Sequence, residues 1–262
     1  MYNFEFKQPK TISDAVNALE SDEAQALGGG QTLIPTMKQR LASPSTLVSL
    51  TAIPEMKGIC KNDDGSISIG GGTTHADVAS YSDMLSGLTT LAENIGAAAV
   101  RNRGTLGGSL ANNDPAACYP AAALSAGATI VTNNREISAD DFFQGMFDTA
   151  LEEGEIIVSV KFPIPSSSSY QKFVQPASRF AMVGVFLSNF VNETRVAVTG
   201  ASEGGVFRWS EAAAALNKNF SDDSIIDLSI DHKDMIEDIH ASKEYRAHLV
   251  KVMTKRAVAS AS

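Results

Sequence analysis

Leu27-Gly-Gly-Gly-Gln-Thr-Leu-Ile34 and, about 75 residues further on, Thr105-Leu-Gly-Gly-Ser109 are the stretches on which the reading of this chain turns. Glycine has no side chain, so backbone N–H groups can converge on an anion and φ can turn positive. In the first stretch a short strand over residues 24–27 runs into Gly28, Gly29 and Gly30, and a helix is predicted over residues 34–41, broken by Pro44. Such a strand–glycine–helix passage adds a helix N-terminus, whose dipole favours phosphate. Gln31, Thr32, Thr105 and Ser109 supply further hydrogen-bonding groups. One glycine cluster is most simply a turn. Two of them, each beside hydroxyl or amide side chains, predict a clamp on the two halves of a pyrophosphate.

Neither stretch is a standard nucleotide motif. Gly28-Gly29-Gly30-Gln31-Thr32-Leu33 departs from G-x-G-x-x-G at its last position, and no glycine precedes Lys-Ser or Lys-Thr, so a Walker A loop is absent. Gly107-Gly-Ser109-Leu-Ala111 approaches the hydrolase elbow, but that elbow follows a strand, and here the polar Arg101-Asn-Arg-Gly-Thr precedes it. Ser109 is therefore not expected to be a nucleophile. The histidines, His75, His232, His240 and His248, form no H-E-x-x-H and lie near no cysteine in sequence, so no metal site is expected. His75 follows Thr73-Thr74 at a predicted helix start, which suggests capping or surface placement. Cys60 and Cys118 cannot build a disulfide framework or house an iron–sulfur cluster, which normally needs four thiolates. Both are expected to be packed thiols in a reducing cytosol.

The 262 residues carry 21 Lys+Arg against 30 Asp+Glu, a net charge of −9. That balance excludes a basic face for nucleic acid and a polybasic membrane surface. Apolar residues are 44% and charged residues 19%, a globular composition long enough for one large domain or two smaller ones. The N-terminal residues show no signal-peptide pattern and no apolar run approaches a membrane span, so a soluble cytoplasmic protein is expected.

Outward from the glycine stretches, Thr11 opens a helix with an acid three residues on and Ile12, Ala15, Val16 and Leu19 at helical spacing. Strands are predicted over 46–50, 66–69, 129–132 and 155–162, and helices over 83–100 and 120–126. Phe162-Pro-Ile-Pro-Ser-Ser-Ser-Ser-Tyr170 reads as an exposed linker. Beyond it lie strands over 182–190 and 195–199 and helices over 210–216 and 242–258, the last with Tyr245, Leu249, Val252 and Met253 on one face. The acid-rich residues 222–238 read as a solvated surface.

With these residues in view, the stretch from Gly28 to Pro44 resembles the first flavin loop of the FAD-binding medium subunit of molybdenum hydroxylases, the carbon monoxide dehydrogenase and xanthine dehydrogenase family. Val100-Arg-Asn-Arg-Gly-Thr-Leu-Gly-Gly-Ser-Leu-Ala111, followed by Asn-Asn-Asp-Pro115, resembles its second. The resemblance continues through Gly70-Gly-Gly-Thr-Thr-His-Ala76, Asp141-Phe-Phe-Gln-Gly145 and Ala241-Ser-Lys-Glu-Tyr-Arg246, nearly the whole chain.

It implies an α+β fold: a PCMH-type FAD-binding domain of two subdomains over residues 1–165, then a small C-terminal α+β domain over 170–262 with a short antiparallel sheet and helices. It implies that Leu27, Gly28, Gly29, Gly30, Gln31, Thr32, Leu33 and Ile34, with Thr105, Leu106, Gly107, Gly108 and Ser109, hold the FAD pyrophosphate, and that Ile95 and Ile157 are apolar contacts near the flavin. Cys118 stands near the flavin where the family usually has an acid, Val174 where some relatives have a flavin-contacting lysine, and Ser109 in place of a common asparagine. By the same resemblance the chain is an electron-transfer subunit. FAD is here, molybdopterin is on a large partner subunit and [2Fe-2S] clusters are on a small one, in a duplicated heterotrimer, with no catalytic acid or base on this chain. The alternative within the same fold is a stand-alone flavin oxidoreductase.

Overall fold

The computed structural model describes residues 1–81 and 85–261. Thr11 caps α1 (Ile12–Leu19): its Oγ1 accepts the Asp14 N–H at 3.1 Å and donates to the Asp14 carboxylate at 2.7 Å. The apolar face of α1 packs on a small parallel sheet of β1 (Glu5–Lys7), β2 (Ala24–Leu27) and β3 (Thr46–Ser49), in the order β1-β3-β2. Between β2 and β3 lies α2 (Leu33–Lys38). It stops before residue 41, because Arg40 turns left-handed at φ +63°; Pro44 is not what ends it.

The second unit is an antiparallel sheet of β4 (Ile59–Lys61), β5 (Ile67–Gly70), β6 (Thr129–Thr132), β7 (Glu136–Ser138) and β10 (Ile157–Phe162), ordered β4-β5-β10-β6-β7. A separate hairpin pairs β8 (Phe143–Gly145) with β9 (Asp148–Thr149). The helices of this unit are α3 (His75–Ala79), α4 (Ser86–Glu93), α5 (Ala98–Arg101), α6 (Leu106–Asn112), α7 (Tyr119–Ala126) and α8 (Ala139–Phe142). The helix predicted over 83–100 starts at Asp83, outside the described residues. Its described part is α4 and α5, interrupted where Asn94 closes α4 and Gly96 takes φ +29°.

The third unit is an antiparallel sheet of β11 (Ser167–Val174), β12 (Ala181–Asn189), β13 (Thr194–Ser202) and β14 (Gly205–Arg208), in sequential order. Its strands run to nine residues, longer than a short sheet implies. Tyr170, Phe186 and Ala197 on one face join the apolar cluster of α4 and α7, while Val183, Val185, Leu187 and Val196 on the other pack with α9 (Ser210–Lys218) and α10 (Lys243–Ala261). β12 is therefore buried on both faces and reads as a continuous apolar run. Every residue of α7 is buried, and its small side chains let it lie close to β12 and β13.

Three segments differ from what their sequence leads one to expect. The serine run is not a free linker: residues 167–169 belong to β11, and Ser168 and Ser169 are buried against α4, where Ser168 Oγ accepts the Gly87 N–H. Only residues 163–166 connect the strands. On α10 the buried stripe holds Arg246, Val250 and Ala257 with Leu249 and Met253, while Tyr245 is exposed and Val252 partly so. The acid-rich stretch is not wholly solvated, because Asp238 accepts from the buried Arg246 at 2.6 Å. No helix of the described residues is long and apolar enough to cross a membrane.

Candidate functional site

The two glycine stretches are neighbours. A Cβ on Gly28 would stand 2.9 Å from Thr105 Oγ1 and 3.9 Å from Gly108 Cα, and one on Gly29 would stand 1.8 Å from the Arg103 carbonyl oxygen. Their contact exists only because both positions lack side chains. A third glycine cluster backs the second loop: the Gly107 N–H donates to Gly71 O at 2.8 Å, and a Cβ on Gly71 would meet Ile157 O at 2.2 Å. The sequence shows this cluster, Gly70-Gly71-Gly72, at the end of a predicted strand and within the family resemblance, but not as a support of the second loop.

Both loops open on one cavity of about 570 Å³. It is lined by Leu27, Gly28, Gly29, Gly30, Gln31, Thr32 and Leu33 from the first stretch and by Thr105, Gly107, Gly108 and Ser109 from the second. Ile95, Cys118 and Ile157, expected from elsewhere in the chain, also line it. Ile34 and Leu106 do not: Ile34 packs under Gly30, and Leu106 is fully buried in the core.

The loops differ in what they offer a ligand. Among the described residues, the backbone N–H groups from Gly28 to Leu33 donate to no acceptor within the chain. Gly30 takes φ +69° inside that run, and Gln31 Nε2 bonds Gly29 O. Successive unpaired N–H groups beside a left-handed residue make an anion-binding concavity. In the second loop the donors are occupied by the fold. Leu106 N–H bonds Thr73 O, Gly108 N–H bonds Thr105 Oγ1, and Ser109 N–H bonds Thr105 O. Thr105 is thus the N-cap of α6, and this loop contributes surface and hydroxyls more than free N–H groups.

The rest of the cavity comes from distant segments. Ile95, Leu151 and Ile157 supply apolar wall. Lys172, Arg179 and Phe180 reach it from the third sheet and the turn after β11. Val174 is exposed and outside the cavity; the lysine of β11 that lines it is Lys172, two residues earlier. Its Nζ donates to Asn94 O and Arg179 O and lies 3.8 Å from Cys118 Sγ. Sequence spacing carries no signal for this meeting of residues 94, 118, 172 and 179. Cys118 is a packed thiol as expected, whereas Cys60 is exposed on β4.

His75 is also placed differently from its expectation. The cap of α3 is Thr74, in a reciprocal capping box with Asp77, and His75 is buried in the cavity wall. Its ring lies 5.2 Å from that of Tyr119, and its Nδ1 has no hydrogen-bond partner among the described residues. Burial holds its pKa down at about 4, so the imidazole is neutral. At the cavity's edge Glu155 is buried and accepts from Arg135 Nε and Nη2, both at 3.0 Å. The Arg135 bonds, with the Glu152 N–H and the Thr132 hydroxyl, bring its pKa to about 2 against the effect of burial.

The cavity thus fits a dinucleotide by its donor set: a run of free N–H groups for a diphosphate, and apolar wall with a lysine for a ring. Residues 2–165 match the family described as the FAD binding domain in molybdopterin dehydrogenase. The chain is 30% identical to the carbon monoxide dehydrogenase medium chain of Hydrogenophaga pseudoflava, covering 98% of this chain and 96% of that one. It is 32% identical to the nicotine 6-hydroxylase medium subunit of Paenarthrobacter nicotinovorans, with coverage of 98% and 96%. A solved carbon monoxide dehydrogenase from Hydrogenophaga pseudoflava superposes with a TM-score of 0.87 at 30% identity, over 99% of this chain and 97% of that one. Quinoline 2-oxidoreductase from Pseudomonas putida 86 gives 0.86 at 27% identity, over 99% and 97%. The α+β fold is the PCMH-type FAD-binding fold with its C-terminal companion, and the chain belongs to the FAD-binding medium subunits of the molybdenum hydroxylase family.

Proposed function

We propose that this chain is the electron-relay subunit of a three-component molybdenum hydroxylase. Electrons arrive from [2Fe-2S] clusters on a small subunit and leave to an external acceptor, and the substrate is oxidised at molybdopterin on a large subunit. The observation that carries this reading is the unpaired N–H run from Gly28 to Leu33, packed against Thr105 and Gly108 at the mouth of the shared cavity. Bound FAD supplies exchange of electrons singly or in pairs, which joins one-electron clusters to a two-electron acceptor.

This chain's own residues bind, shape and exclude. Residues 28–33 hold the pyrophosphate through backbone N–H groups, Leu27 lines the cavity beside them, and Thr105 and Ser109 add hydroxyls from the second loop. Ile95 and Ile157 form the dry wall against the ring, while Lys172 and Cys118 give it a polar side. Ile34 and Leu106 support the loops from behind. In this division residues 1–165 hold the cofactor and residues 170–262 buttress it. The assembly is a duplicated heterotrimer in the cytoplasm.

The test is to isolate the tagged chain from its native cells without denaturation. Flavin, molybdenum and iron should co-elute with two further polypeptides. A flavin-containing chain purified alone, with neither metal, would sink the assignment.

A further inference from the structure

Thr199, on β13, is fully buried and does not line the cavity. Its hydroxyl stands 2.9 Å from Pro115 O and 2.7 Å from Ala117 O. The next residue, Gly200, donates its N–H to the same Pro115 O at 2.7 Å. Asp114, Ala116, Ala117 and Cys118 all line the cavity. This wall is therefore hung from the third sheet. Local bonds from Ala116 N–H and Ala117 N–H to Asp114 shape the turn but do not locate it.

The support is itself rigid. Gly200 takes φ +81°, and a Cβ there would lie 2.5 Å from Ala181 O. Arg246 Nη1 holds Gly200 O at 2.9 Å and Met182 O at 2.7 Å. A threonine hydroxyl has one proton to donate, and here two carbonyls share it. Pro115 O also keeps the Gly200 N–H, so the Thr199 hydroxyl is what ties Ala117 O, the carbonyl just before Cys118, to that fixed point. Cys118 follows directly and faces Lys172 at 3.8 Å.

We propose that Thr199 is a positioning residue for the cofactor: through the Pro115 and Ala117 carbonyls it sets where Cys118 stands in the cavity wall. The proposal rests on the reading of this cavity as the FAD site.

The experiment compares the full chain with Thr199→Val and Thr199→Ser. FAD affinity is followed by quenching of flavin fluorescence, the flavin midpoint potential by redox titration, and thermal unfolding beside both. Thr199→Val should bind FAD about tenfold more weakly, the size expected when a buried carbonyl loses its donor, and should shift the potential. Thr199→Ser keeps the hydroxyl and should match the parent on both. A folded valine variant with parental affinity and potential, altered only in melting temperature, would overturn the proposal. Should the valine variant not fold, Thr199→Ala provides the same comparison. A parent chain that takes up no FAD fails at the reading of the cavity, before Thr199 is tested, and overturns both.

Discussion

Gly29 and Arg103 meet backbone to backbone: a Cβ on Gly29 would lie 1.8 Å from the Arg103 carbonyl oxygen and 2.6 Å from Gly104 Cα. The glycine is demanded by the neighbouring loop as much as by any ligand. Gly29→Ala must move one loop off the other, and overpacking of this kind costs about 1–3 kcal/mol. The variant should unfold at lower urea concentration and lose FAD on gel filtration. Gly145→Ala, whose Cβ would find its nearest neighbour 4.0 Å away, should do neither.

Thr105 braces the second loop through its side chain, since Oγ1 accepts the Gly108 N–H at 3.2 Å and caps α6. Thr105→Val removes the cap and should lower stability by about 1 kcal/mol in urea titrations, whereas Thr105→Ser should retain most of it.

The neutral His75 makes stability depend on mildly acidic pH. Its pKa falls from the ordinary 6.5 to about 4 in the fold. Below pH 6.5 the unfolded chain takes up a proton that the folded imidazole declines, so the contribution is complete above 6.5 and is lost progressively towards pH 4. His75→Gln should flatten the stability–pH curve across that interval.

Glu155 acts in a more acidic window. Its pKa is brought from 4.5 to about 2, chiefly by Arg135. The stabilisation is present above pH 4.5 and disappears as pH falls towards 2, because the unfolded carboxylate protonates first. Glu155→Gln should remove this steep acid limb and leave the interval assigned to His75 unchanged.

Arg246 holds the third unit together through Asp238, Met182 O and Gly200 O. Arg246→Met leaves three acceptors without their donor. We expect a loss of roughly 2–3 kcal/mol, short of a fully buried pair because the Asp238 side chain is 31% exposed. Chemical denaturation measures it, and Arg246→Lys should recover only part, since an ammonium lacks the planar fork.

Local chemistry made several elements readable from the sequence. The Thr11 cap with Asp14 marked α1, apolar runs marked β12 and β13, and glycine clusters beside hydroxyl groups marked both loops. Each signal lies within a few residues, where spacing alone fixes which side chains share a face. His75, Lys172 and Thr199 were not readable as members of one site. Their roles depend on burial and on partners far away in the chain: Tyr119 for the first, Asn94 and Cys118 for the second, Pro115 and Ala117 for the third. The serine run shows the same limit, since only the approach of α4 turns a linker composition into a buried strand. By itself the sequence determined that two glycine loops exist, but not that the N–H groups of the second are taken up by the fold while those of the first stay free. Tertiary structure decided that the loops touch, because contact between segments about 75 residues apart follows from packing of whole elements and not from local conformational preference.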